Sequence, residues 1–169
     1  MKAPSHRSTL LGLAVLVQTL QPAQAVDQSC SSFDRAAAVE AINALRERGA
    51  LCTAGDAPLS GAALRWNERL AQAANAQASW LALQDTLLHR GPQGQVLAER
   101  TREAGYRFAR VTENLGHAQG SVAQVLASWT ASPAHCANLF DARVTEMALA
   151  CVPSASGRPV WVMLYARPL

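Results

Sequence analysis

Two stretches late in the chain constrain most strongly what it can fold into. Residues Arg143 to Val152 and Pro159 to Ala166 are rich in β-branched, aromatic and other apolar residues, and Ser154-Ala155-Ser156-Gly157 between them has turn composition. Together they read as a β-hairpin. TEMALAC and VWVMLYA offer apolar side chains at successive positions, so neither strand has a face suited to water. Strands of that kind need cover on both faces. The cover has to come from the helices that precede them.

Those helices are legible from spacing. Phe33 to Arg48 carries Val39, Ile42 and Leu45 at i+3, with Ser32 or Asp34 as a cap and Gly49 after the last turn. Trp66 to Gln84 carries the stripe Leu70, Ala73, Ala74, Ala78, Leu81, whose alanines allow a neighbouring backbone to come close. A short helix from Val96 to Ala104 ends at Gly105, and Phe108 to Asn114 reads as a strand. From Ser121, a helix puts Val122, Val125, Leu126 and Trp129 on one face and stops before Pro133. Helices first and strands last give an α+β domain with an antiparallel sheet covered by helices. Trp66, Trp80, Trp129 and Trp161 are expected in core or sheet packing.

The first residues have the parts of a secretory signal: Lys2, His6 and Arg7, an apolar run from Leu10 to Leu20, and a small-residue cleavage site at Ala23-Gln24-Ala25. The run is well short of the roughly 20 residues that span a bilayer, so no integral membrane anchor is expected. Residues 1–25 are read as a cleaved signal peptide and 26–169 as a single domain, secreted or periplasmic. Removing Lys2 and Arg7 from the 15 basic residues leaves 13 arginines against 12 acids. That balance gives no footprint for nucleic acid. Arg100, Arg102, Arg107 and Arg110, interleaved with Glu99 and Glu103, read as a solvated face.

Four cysteines in an exported domain point to two disulfides. The preferred pairing is Cys136 with Cys151, leaving Cys30 with Cys52, and the other two pairings stay open. In SPAHCANLF, Ser132 and Pro133 suit a helix start. His135 and Cys136 are then about 100° apart around the helix and do not form a nucleophile and base pair.

The fragments RWNERLAQAA, LLHRGPQG, Glu99-Arg100 with Ala104-Gly105-Tyr106, ENL at Glu113 to Leu115, SWTASPAHCANLF, TEMALAC and VWVMLYA occur in this order. The ordered set resembles the CAP superfamily, also called SCP-like or pathogenesis-related-1-like proteins, in its short exported bacterial branch. It covers roughly Ala38 to Leu164. The resemblance implies an αβα sandwich with a central antiparallel sheet between helical layers and a cleft lined by His89, Glu113 and His135. It departs from the family pattern at Leu88, Thr112, Ala148 and Ala150, and Thr130 and Ala131 stand where a second cleft glutamate is common.

Two imidazoles and a carboxylate are a ligand set for one divalent metal such as zinc. His89, His135 and Glu113 are therefore the candidate metal and ligand-binding residues. Taken alone, Glu113 would pair with Arg110 or Arg143, Asn114 would fix a turn, and Glu146 would form a salt bridge. His117, in a glycine-flanked loop, is expected to be exposed. The leading functional expectation is a monomeric, non-enzymatic binding protein for a metal and a small apolar or peptide ligand, or for a cell-envelope component. The alternatives are a hydrolase acting on peptide or peptidoglycan with Glu113 as general base, and an envelope interaction module with a vestigial cleft.

Overall fold

Helix α1 (Arg35–Arg48) starts at Asp34, whose carboxylate accepts from the Ala37 N–H at 2.7 Å, and stops at Gly49, whose φ of +74° suits a residue without a Cβ. Asp34 is thus the cap of the two candidates. The computed structural model of the chain describes residues 30–52 and 59–169, so the expected signal peptide lies outside the described residues. Arg65–Trp66 form a two-residue strand, β1. Helix α2 (Glu68–Gln84) follows, capped by the Asn67 side chain on the N–H groups of Arg69 and Leu70. The remaining elements are α3 (Leu97–Glu103), β2 (Phe108–His117), α4 (Val122–Thr130), α5 (Pro133–Leu139), β3 (Glu146–Pro153) and β4 (Pro159–Pro168).

The sheet order is β1-β3-β4-β2. The three long strands are antiparallel, and β1 joins the edge in parallel to β3 through Arg65 and Trp66 beside Glu146 and Met147. The sheet is therefore mixed. Its parallel part includes Trp66, which the apolar spacing had assigned to the start of α2. Strand β2 runs to His117, beyond the expected Asn114, because β4 continues to pair with it as far as Val160.

Alternation along β3 and β4 divides the core into two layers. Met147, Leu149, Trp161, Met163 and Tyr165 face α1, α4 and α5, where they meet Ile42, Val125, Trp129 and Leu139. Ala148, Ala150, Val160, Val162 and Leu164 face α2, where they meet Leu70, Ala73, Ala74, Ala78 and Leu81. Alanine faces alanine in the second layer, which lets α2 lie close on the sheet. The result is the expected αβα sandwich. The buried indoles of Trp129 and Trp161 donate to the carbonyls of Leu115 and Gln119, each at 2.7 Å, so their polar ends are satisfied.

The disulfides join Cys30 to Cys151 and Cys52 to Cys136, which corrects the preferred pairing of Cys136 with Cys151 and Cys30 with Cys52. The segments flanking α1 decide the outcome. The 3-10 turn at Cys30–Ser32 packs on β3, and the chain after α1 brings Cys52 to α5. The Cα–Cα distances are 5.1 and 5.4 Å, inside the range a disulfide spans.

Candidate functional site

β2 is an edge strand, so groups from both helical layers can meet over it. Glu113 lies in β2 opposite Leu164, with its side chain 2% exposed. Its Oε1 is 2.9 Å from Nδ1 of His89, and its Oε2 accepts from Nη2 of Arg100 at 3.0 Å. Both carboxylate oxygens are engaged.

His89 stands in the loop after α2, which is tied down from two sides. Gln77 of α2 donates Nε2 to the carbonyls of Leu88 and Arg90 at 2.9 and 3.3 Å, and Arg100 of α3 donates Nη2 to the His89 carbonyl at 3.1 Å. With Nδ1 committed to Glu113, the ring of His89 is held by one edge while 63% of the side chain stays open to solvent.

His135 comes from the opposite layer, in the first turn of α5. Asn114, next to Glu113 but on the other face of β2, donates Nδ2 to the His135 carbonyl at 2.9 Å and to the Tyr165 hydroxyl oxygen at 3.2 Å. Asn138 of α5 donates Nδ2 to Asn114 Oδ1 at 2.9 Å and to the Glu113 carbonyl at 3.3 Å. Asn114 is therefore fully buried in a strand and laces α5 to the sheet, where a turn role was expected.

The electrostatics separate the two histidines. The hydrogen bond to Glu113 raises the His89 pKa above its ordinary value, against burial and the nearby Arg100, with the Glu113 charge adding to the rise. Burial lowers that of His135, and the charge on His89 lowers it further. The two rings are thus within electrostatic reach of each other. As pH falls, His89 takes the proton first and His135 stays neutral longer.

The structure brings His89 and Glu113 into direct contact and places His135 within reach of the His89 charge. It corrects the expected partners of Glu113: Arg110 and Arg143 both bind Asp141, and Arg100 holds Glu113. Arg100 is accordingly no part of a solvated face. It is 7% exposed, because it falls with Thr101 on the buried face of α3, flanked by half-buried Leu97 and Ala104. Its i+3 spacing from Leu97 places it on that face, but apolar periodicity alone does not mark an arginine as buried. His117 is half-buried at the end of β2, with Nε2 3.5 Å from Asp85 Oδ1, and the expected exposed loop is a strand. Glu146 does pair with Arg65, at 3.5 Å, and also accepts from Asn67 and Tyr106. Cys136 is fully buried in its disulfide while His135 is partly open, as the helical spacing implied.

Comparison with known proteins gives a consistent picture. The CAP family model, described as the cysteine-rich secretory protein family, matches residues 39–165. No curated protein sequence matches the chain. Among solved structures, an outer surface protein of Borrelia burgdorferi aligns over 78% of this chain and 90% of its own, with a TM-score of 0.64 and 19% identity. An extracellular protein of Bacillus anthracis containing an SCP domain aligns over 79% of this chain and 41% of its own, with a TM-score of 0.60 and 16% identity. Venom allergen-like protein 4 of Schistosoma mansoni aligns over 80% of this chain and 88% of its own, with a TM-score of 0.54 and 14% identity.

Proposed function

The chain belongs to the cysteine-rich secretory protein (CAP) family, and from that premise we propose that it is an exported, non-enzymatic binding protein whose cleft between His89 and His135 takes a labile divalent ion or a small ligand. The observation that carries this reading is the engagement of Glu113. His89 occupies one oxygen and Arg100 the other. A general base needs a free lone pair aimed at water, and a carboxylate held by a buried guanidinium is a poor candidate. Glu113 instead orients His89, as carboxylates orient metal-binding imidazoles through the far ring nitrogen.

The donor set fits an ion such as zinc only in part. His89 through Nε2 and His135 as a neutral imidazole would hold it, with Glu113 as the outer partner of His89. Among the described residues no group of three or more His, Cys, Asp or Glu is disposed to hold a metal. Two imidazoles support weak, exchangeable binding. When bound, the ion would supply positive charge between the α2 loop and α5. Two disulfides support a role in an oxidising compartment outside the cytoplasm. No helix among the described residues is long and apolar enough to cross a membrane.

The test is a calorimetric zinc titration of the purified, oxidised protein beside a His89→Ala, His135→Ala variant at neutral pH. One weakly bound zinc in the wild type, absent from the variant, is the expected result. Equal binding by both would overturn the site. Binding by neither would move the reading to an apolar ligand. A groove of about 680 Å³ between α1 and α4, lined by Ala41, Leu45, Ala123, Leu126 and Ala127, is where such a ligand would lie.

A further inference from the structure

Strands β2 and β4 carry an arrangement that works against their own pairing. Arg110 and Arg167 are partners in the antiparallel register, so their side chains leave the same face of the sheet side by side. Like charges directly opposite each other across a strand pair are destabilising. Arg143 joins them from the turn between α5 and β3, and the three arginines line one pocket of about 220 Å³ with Ala109. Three guanidiniums gathered from three segments require a reason.

Asp141 accounts for the placement of two of them. Its buried carboxylate accepts from Arg110 Nε, from Arg143 Nε and Nη2 at 2.8 and 3.1 Å, and from the Arg143 backbone N–H at 2.9 Å. The carboxylate does not itself line the pocket. It stands behind the guanidiniums and fixes their direction. Arg143 Nη1 and both terminal nitrogens of Arg110 make no hydrogen bond among the described residues, and the Arg110 and Arg143 side chains are 33% and 66% exposed. Arg167 is exposed and has no hydrogen bond or ion pair among the described residues. The pocket therefore offers accessible donors held by a carboxylate that an occupant does not touch.

Charge and shape select the occupant. Three guanidiniums against the one carboxylate of Asp141 leave two positive charges unmatched, and Arg46, which donates to the Asp141 carbonyl from the interior, adds to the same field. A carboxylate ligand brings one charge and two oxygens, so one arginine would stay unanswered. A phosphate monoester carries a charge of about −1.5 to −2 at pH 7 and presents three acceptor oxygens, and guanidinium is the side-chain group best matched to it. The pocket is too small for a drug-sized molecule, but a single phosphate group needs little room. We propose that Arg110, Arg143 and Arg167 form a second binding site, separate from the histidine cleft, for the phosphate group of a monoester. One phosphate oxygen accepts from each arginine, and the ester oxygen points to solvent. Bound phosphate offsets the repulsion between Arg110 and Arg167, which ties the ends of β2 and β4 together.

The experiment is a titration of methyl phosphate into the 15N-labelled, oxidised protein at neutral pH and constant ionic strength, followed at the backbone amides of Arg110, Arg143 and Arg167. Dimethyl phosphate and sodium acetate are the singly charged controls. Arg167→Gln removes a guanidinium that has no partner among the described residues and relieves the like-charge pair, so urea unfolding without phosphate should find it no less stable than the wild type. The expected result is a saturable shift at the three amides with methyl phosphate, and affinity at least about tenfold weaker, or 1.4 kcal/mol, for dimethyl phosphate, for acetate and in Arg167→Gln. Absence of saturation by methyl phosphate would overturn the proposal. So would equal binding of either control, undiminished binding by Arg167→Gln, or a loss of stability in that variant, which would make Arg167 a residue of the fold. Sedimentation with phosphatidylcholine vesicles, with and without phosphatidic acid, assigns the source of the phosphate. Sedimentation that needs both phosphatidic acid and Arg167 supports the site with a lipid headgroup in it, and methyl phosphate binding without sedimentation supports it with a soluble ester. Since Arg167→Gln leaves His89, Glu113 and His135 in place, zinc binding at the cleft stands or falls separately.

Discussion

Arg100 Nη2 lies 3.0 Å from Glu113 Oε2, and the two side chains are only 6% and 2% exposed. A buried pair of this kind does more to fix an arrangement than to stabilise the fold, since desolvation offsets most of the attraction. Here it fixes which oxygen of Glu113 is left for His89.

Breaking the pair from one side is therefore expected to be costly. Arg100→Met leaves Glu113 buried with His89 alone and should lower unfolding free energy by about 3–5 kcal/mol. Adding Glu113→Gln to that variant should recover a good part of the loss, because the stranded charge is gone. Urea unfolding of the two variants beside the wild type checks this. A double variant no more stable than the single one would show that packing, and not charge, holds the site.

Asp141 is expected to contribute to the loss of stability in acid. Burial pushes its carboxyl up, but hydrogen bonds from the Arg143 side chain and backbone and from Arg110 outweigh burial and take it to about 2. A carboxyl whose folded value is depressed stabilises the fold above its unfolded value, and that stability is lost as pH falls through the folded one. Wild-type stability should thus fall between about pH 4 and pH 2, by roughly 2 kcal/mol from this group. Asp141→Asn should be weaker at pH 7 and show a flatter decline over that window in urea unfolding. An unchanged pH profile would remove Asp141 from the account.

The disulfides close long loops, with sequence separations of 121 and 84. Losing the Cys30–Cys151 bond through a double alanine variant should cost about 2–5 kcal/mol, read as a lower denaturation midpoint. Peptide mapping of the unreduced protein should recover Cys30 joined to Cys151 and Cys52 joined to Cys136. A peptide joining Cys136 to Cys151 would contradict the fold around α1.

Cover of β3 and β4 by helices was legible because both strands are apolar at successive positions, while the αβα layering was implied by the resemblance to the CAP family. His89, Glu113 and His135 were picked out through the resemblance to the CAP family, and of these His89 and Glu113 are in contact. Arg100 was not picked out, because periodicity registers apolar residues and an arginine in the stripe looks like a gap. Arg46 is the same case at i+4 from Ile42. It is fully buried and spends its guanidinium on the carbonyls of Ala62, Leu139 and Asp141. The pairing of cysteines and the parallel β1 depend on which distant segments pack together, and local spacing carries no trace of that.

The position of β4 in the sheet governs the order in which the protein can assemble. It is the last strand in sequence, yet it lies between β3 and β2 and is, among the described residues, the only strand paired with β2. A chain emerging from its N-terminus therefore presents all four cysteines before the sheet that sorts them exists. Until β4 arrives, Glu113 has no paired strand to stand on, and nothing in the sheet separates correct thiol pairs from incorrect ones. Pairing Cys30 with Cys151 and Cys52 with Cys136 thus calls for thiol exchange that stays reversible until β4 has joined the sheet.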